Sequence, residues 1–213
     1  MNILVLNPGG NSLKIDIVAC GPNQRHAFEA AKLISVTIEG IGRNPELSRL
    51  EGKKSVHSES IEAWDYASAT ERFLNWYERA RVDLPNLKQI NRVGVRVVHG
   101  GSEFALPTPI DQAVEKKIKE FEKLAPLHNK SSIKVLAPLR RRLPNVPIYG
   151  VFDTAYHRTI PEYASRYAPS GPGGQASDSA LRISRYLSSL PARTLCSSRG
   201  QDARCMQCRI AAP

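Results

Sequence analysis

Three observations predict an α/β fold with a mixed sheet and flanking helices. Apolar residues alternate with a period of two in several short runs: Leu13, Ile15 and Ile17, then Val93, Val95 and Val97. Two further runs, Ile3 to Leu6 and Val146 to Phe152, are apolar throughout, as buried strands are. Between them the period changes: Ile61, Trp64, Ala67, Leu74, Tyr77 and Ala80, with Phe73 adjacent, fall on one helical face.

The elements follow in order. Residues 3–6 form a strand, and Asn7-Pro8-Gly9-Gly10-Asn11 is turn chemistry. A second strand starts at Ser12, so residues 2–19 read as a β-hairpin, and a third strand falls within 27–39. A helix covers 61–80, its aromatic residues in the core, and a strand covers 90–98 until His99-Gly100-Gly101 breaks it. Asp111 caps a helix carrying Val114, Ile118, Phe121 and Leu124. One further helix spans about 131–142, and the last strand ends at Asp153. The order β-β-β-α-β-α-α-β gives a mixed sheet with packed helices.

Bulk properties narrow the function. No apolar run approaches the roughly 20 residues of a membrane span. The start, Met1-Asn2-Ile3-Leu4, lacks a basic, signal-like n-region. Both point to a cytoplasmic protein without a membrane partner. The net charge of +10 invites a nucleic-acid reading. No basic stripe with interleaved aromatics supports one, and Arg140-Arg141-Arg142 reads as a helix C-terminus. Cys205-x-x-Cys208 has no second CxxC or His pair, so neither a zinc site nor a redox pair is assigned to it.

The text changes at about Ala168. From there to Pro213 the chain has no Lys, Glu, Phe, Trp or Val, and is rich in Arg, Ser, Ala, Gly and Pro. Such a stretch cannot bury a core, so a folded domain over 1–167 and an irregular low-complexity tail over 168–213 are expected.

Four motifs carry chemistry. The glycine-rich turn, followed by Ser12, Leu13 and Lys14, lets main-chain N–H groups approach anionic oxygens, with Ser12 to donate and Lys14 to neutralise. A tight hairpin needs glycine in any case, so the turn also has a purely structural reading. Arg96, in Arg96-Val97-Val98-His99-Gly100-Gly101, faces away from Val95 and Val97 and offers a fork for a carboxylate or phosphoryl group, or a structural ion pair. His128, in Leu124-Ala125-Pro126-Leu127-His128-Asn129, follows a helix end and is a phosphoryl donor or a structural histidine. Asp153 ends a strand, where ligands bind in α/β folds. It is either a catalytic or metal-binding acid, or the cap of the next helix.

Taken together, Asn7 to Lys14, Arg96 to Gly101, Ala125 to Asn129, and Phe152 to His157 with Thr159 and Pro161 resemble the acetate kinase family, of the acetate and sugar kinase/actin superfamily. The resemblance covers residues 1 to about 167. It implies a ribonuclease-H-like (actin-like ATPase) domain and Mg2+-dependent transfer of the ATP γ-phosphoryl group to acetate, in a homodimer. Carried over by motif, Asn7 would sit in the magnesium site, and Lys14 and Ser12 near nucleotide phosphates. Arg96 would bind the acetate carboxylate, Val98 and Leu127 would line the methyl pocket, His128 would bond the phosphoryl group, and Asp153 would be the catalytic acidic residue. Propionate and butyrate kinases are similar, so the acid is less specified than the reaction.

The chain departs from that pattern. The family has Ala-Gly-Ser-Ser-Ser after the first Asn, where this chain has Pro8-Gly9-Gly10-Asn11-Ser12. The Gly-Phe-His-Gly block, second essential Arg, adenosine-binding segments and metal-binding Glu that follow in the family do not appear. A frameshift near codon 168, in the gene or in its sequencing, would account for the tail, and a neighbouring reading frame should then encode Gly-Phe-His-Gly. The 213-residue chain is accordingly expected to lack activity, or to persist as a non-catalytic remnant that binds anions or a partner.

Overall fold

The computed structural model describes residues 1–21, 29–51, 54–80, 84–123 and 125–155. One eight-stranded sheet organises them, in the order β5-β4-β3-β2-β1-β6-β8-β7. Its strands are β1 (Asn2–Pro8), β2 (Leu13–Gly21), β3 (Glu29–Glu39), β4 (Glu46–Glu51), β5 (Lys54–Ser60), β6 (Ile90–Val97), β7 (Thr108–Pro109) and β8 (Ile148–Phe152). Strands β1 to β5 form an antiparallel meander, while β1, β6 and β8 run parallel. The carboxyl ends of these three parallel strands therefore lie side by side.

The helices are α1 (Tyr66–Arg79), α2 (Gln112–Glu120), α3 (Pro126–Lys134) and α4 (Leu136–Arg142). A capping box starts α1: Asp65 accepts from the Ser68 N–H at 3.0 Å, and Ser68 accepts from the Asp65 N–H at 2.9 Å. As expected, Asp111 caps α2, accepting from the Val114 N–H at 2.7 Å. The main core packs Leu4, Leu6, Leu13, Ile15 and Ile17 against Phe73 and Leu74 of α1 and Leu136 and Leu139 of α4. A smaller cluster, Ile3, Val5, Val18 and Cys20, occupies the other face of the sheet.

Several expectations need correction. The helix expected over 61–80 starts at Tyr66, because Asp65 is its cap. Trp64 precedes the cap and is 76% exposed, so it is not a core residue. The buried face instead holds Tyr66, Ala69, Thr70, Phe73, Leu74 and Tyr77. The single helix expected over 131–142 is two, with the break at Val135. Pro138 explains it: proline has no N–H, and its ring would clash with the carbonyl four residues back, at Lys134. Strands β4, β5 and the two-residue β7 carry no apolar alternation and went unexpected; β5 and β7 are the two edges of the sheet, where strands are often polar. Leu124, the motif residues Tyr156, His157, Thr159 and Pro161, and the tail over 168–213 with its cysteines lie outside the described residues.

Candidate functional site at the strand ends

The parallel strands bring three of the predicted residues into one cluster. Asn7 lies near the end of β1, Arg96 near the end of β6, and Asp153 follows β8. Leu6 pairs with Val95 and Arg96 with Val151, so alternation puts Asn7, Arg96 and Asp153 on the same face. The contacts are direct. Arg96 Nε donates to both Asp153 oxygens at 3.0 and 2.9 Å, and Nη2 donates to Oδ2 at 2.6 Å. Arg96 Nη1 donates to Asn7 Oδ1 at 2.9 Å. The Asp153 carboxylate thus bonds a guanidinium, and residues 153–155 form a tight turn. Of the two readings of Arg96, the ion pair is present, and it lies where a site would form.

Lys14 stands opposite Asn7 in the β1–β2 register, so the two side chains share the cluster's face, with Lys14 exposed. Ser12 is partly buried, and its carbonyl accepts from the Gly9 N–H at 2.7 Å, which closes the glycine turn. Val98 is buried in the bend after β6. His128 is partly buried; it follows the end of α2, as expected, and also sits in the first turn of α3, which was not expected. Pro126 at the first helical position is the start signal for that helix. Leu127 lies in α3; its side chain is outside the described residues.

Four residues to which the motif reading gave no role hold this arrangement together. Asn129 is fully buried; its Oδ1 accepts from the His99 N–H at 3.0 Å and its Nδ2 donates to the His99 carbonyl at 2.9 Å. Ser132 Oγ donates to the Arg96 carbonyl at 2.8 Å. Thr154 Oγ1 accepts from the Gly100 N–H at 3.1 Å. Tyr66 Oη donates to the Gly9 carbonyl at 2.8 Å, which ties the glycine turn to the start of α1, and burial raises its pKa. Helix α3 therefore grips the β6 end through Asn129 and Ser132, and carries His128 beside them. The one local trace they leave is a polar pair spaced three apart on a helix that opens with proline, and it names no partner.

The loop after β6 is packed tightly. Gly101 has φ +61°, and a Cβ there would overlap the Phe121 ring. A Cβ at Gly100 would come within 2.7 Å of Phe152 Cδ1. His99 is buried, its Nδ1 accepts from the Gly101 N–H at 3.0 Å, and burial lowers its pKa. It is held neutral as part of the loop.

Among the described residues, no three His, Cys, Asp or Glu side chains cluster as a metal site. The Asn7 Oδ1 and Asp153 carboxylate oxygens do converge on one cationic group. Mg2+ prefers hard oxygen donors, and takes one or two carboxylates with water and phosphate completing its shell. The donor set fits such an ion in part and leaves positions for substrate. A groove of about 410 Å³ between α1 and α4 is lined by Trp64, Glu71, Pro138 and Arg141, among others, and by none of the eight candidate residues. Its Glu71 and Arg141 walls are paired with each other at 2.7 Å, so the strand ends are the stronger candidate. No described helix is long and apolar enough to cross a membrane.

Known proteins place this architecture. The family model described as "Acetokinase family" matches residues 2–186. An acetate kinase of Sulfurovum sp. (strain NBC37-1) is 32% identical over 169 residues, 78% of this chain and 40% of that protein. One from Clostridium novyi (strain NT) is 34% identical over 169 residues, 79% of this chain and 40% of that protein. Among solved structures, Porphyromonas gingivalis acetate kinase is similar with TM-score 0.68 and 29% identity, over 78% of this chain and 41% of that one. A propionate kinase from Francisella tularensis subsp. tularensis SCHU S4 is similar with TM-score 0.64 and 29% identity, over 79% and 41%. The chain thus spans about two-fifths of the length of the relatives it matches. Its fold is that of the acetate and propionate kinases, the actin-like ATPase arrangement that the resemblance implied. Sequence, strand topology and similarity agree: the chain belongs to the acetokinase family.

Proposed function

We propose that this chain supplies one wall of a site for phosphoryl transfer between ATP and a short-chain carboxylate, acetate in the first instance. The observation that supports it best is the Arg96 guanidinium, held between Asn7 and Asp153 where three parallel strands end. A carboxylate is ionised at pH 7 and needs no general base to act as nucleophile. The work is positioning and charge neutralisation. Arg96 presents a fork to the acetate carboxylate. Val98 and Leu127 line the methyl pocket, and His128 donates to the phosphoryl group. Lys14 and Ser12 lie by the nucleotide phosphates, with the Gly9-Gly10 turn held by Tyr66. Mg2+, when bound, supplies neutralisation of phosphate charge. Asn7 and Asp153 would hold it, Asp153 serving there as a ligand-side group rather than as a proton acceptor.

Homodimeric assembly, a cytoplasmic location and a domain limit at 167 belong to the same reading. A propionate kinase at similar identity keeps the acid at the level of a short aliphatic carboxylate. Calorimetric titration of the full chain with acetate tests the reading. Binding that propionate competes away and Arg96→Ala removes is expected. A coupled ADP-release assay is expected to stay at background, because one wall lacks the opposing transition-state contacts. Acetate-dependent turnover would refute that half of the reading, and absence of any carboxylate binding would refute the first half.

A further inference from the structure

Arg96 occupies two sets of partners at once. Its Nε, Nη1 and Nη2 groups, the donors a carboxylate ligand would need, are bonded to Asp153 and Asn7. The Asn7 and Asp153 oxygens, the acceptors a divalent cation would need, are bonded to Arg96. The pair is only partly shielded, with side-chain exposures of 22% and 17%, so exchange with solutes is open to it. Two hydrogen bonds fix the backbone around the pair: Ser132 holds the Arg96 carbonyl, and Thr154 holds the Gly100 N–H beside Asp153.

We propose that Arg96 is an internal stand-in for the divalent cation: it holds the Asn7 and Asp153 oxygens in the cation-free protein, and is released to bind a carboxylate when a cation takes them. The inference rests on the function proposed above for both the carboxylate and the choice of Mg2+; that Arg96 holds the Asn7 and Asp153 oxygens rests on the geometry alone. The physical reason is charge. A carboxylate that captures Arg96 in the absence of a cation leaves the Asp153 carboxylate without its counter-charge. With a cation already on Asp153 that loss does not arise. Cation and carboxylate therefore bind with positive coupling, and by linkage each raises the affinity of the other by the same factor.

The test uses the full 213-residue chain. Arg Nε–H resonances are recorded by 15N NMR, with Arg96 assigned by its loss in Arg96→Lys. Mg2+ alone is added, against sodium chloride at matched ionic strength to account for screening. The Arg96 Nε–H is expected to shift and exchange faster with solvent under Mg2+ and not under sodium. Acetate affinity, titrated separately, is expected to rise about fivefold or more with Mg2+. In Asp153→Asn the cation-free affinity for acetate is expected to rise and the Mg2+ effect to vanish. A merely structural ion pair would give the opposite, since its loss would weaken the site. An Arg96 resonance unmoved by Mg2+, or moved equally by sodium, overturns the stand-in. Release of Arg96 without gain in acetate affinity overturns the coupling. Release of Arg96 with no acetate binding in any condition supports the stand-in and refutes the carboxylate reading.

Discussion

Arginine meets carboxylate in two places in this molecule, and the two do different work. At the end of α4, Arg140 pairs with Glu115, Arg141 with Glu71, and Arg142 with Glu71 and Glu78. These bonds join α4 to α1 and α2 and complement the negative end of the α4 dipole. Hydrogen bonds from Arg141 and Arg142 outweigh the burial of Glu71, and those from Lys119 and Arg140 outweigh that of Glu115, so both pKa values fall. At the strand ends, Arg96 pairs with Asp153 with no helix to pin, and Asn7 joins them from a third strand. An ion pair is weak evidence of function. Its position beside two further polar strand ends is stronger evidence, because chain direction brings those ends together without any local reason to do so.

The comparison breaks first at the two arginines. Arg96→Ala should cost acetate affinity on the order of 100-fold, the loss of about 3 kcal/mol of charged hydrogen bonding. Arg142→Ala should leave acetate affinity unchanged and lower stability by about 1 kcal/mol. Calorimetry and urea unfolding of both variants read this; equal losses of affinity would erase the distinction. Asn129→Ala comes next. It strands the His99 N–H and carbonyl and should cost about 2–3 kcal/mol in urea unfolding, and it should weaken acetate binding through the loosened Arg96 strand end. Unchanged binding would detach α3 from the site. Gly101→Ala should cost about 2 kcal/mol, since φ +61° and the Phe121 ring both oppose a methyl group.

The smallest effect is a pH dependence. Burial lowers the His99 pKa, so the unfolded chain binds a proton more readily than the folded one. Stability should be full above the ordinary histidine value near 6.5 and should decline as pH falls below it. The lowered carboxylates, Asp65, Glu71 and Glu115, act in a lower window, losing their contribution as pH falls below about 4.5. A drop in urea midpoint between pH 7 and pH 5.5 that disappears in His99→Gln would assign the upper window to His99. Persistence of the drop in that variant would assign it elsewhere.

What the chain disclosed in its letters was uneven, for physical reasons. Strands buried on one or both faces announce themselves, so β1, β2, β6 and β8 were legible in their apolar runs. Among their described side chains, strands β4 and β5 bury little beyond Leu47, and they were silent. Helical periodicity runs on through the cap to Trp64 and so hides the start of α1, which Asp65 and Ser68 mark. The break at Val135 was written in Pro138, though proline near a helix start is often tolerated and so says little unaided. Asn7, Arg96 and Asp153 were each readable as candidates. Asn129, Ser132, Thr154 and Tyr66 were not, because a hydrogen bond across thirty or more residues leaves no local period.

Residue order alone determined the α/β class, the glycine turn, the cap at Asp111, and the set of polar residues placed just at or after strand ends. These are local properties of propensity, burial period and turn chemistry. Only the tertiary structure decided that β1, β6 and β8 are neighbours, that their ends face the same way, and that Arg96 spends its donors on Asn7 and Asp153. Side chains 57 and 89 positions from Arg96 meet it because parallel pairing of buried strands fixes register over long separations. Charge then selects which of the assembled groups pair.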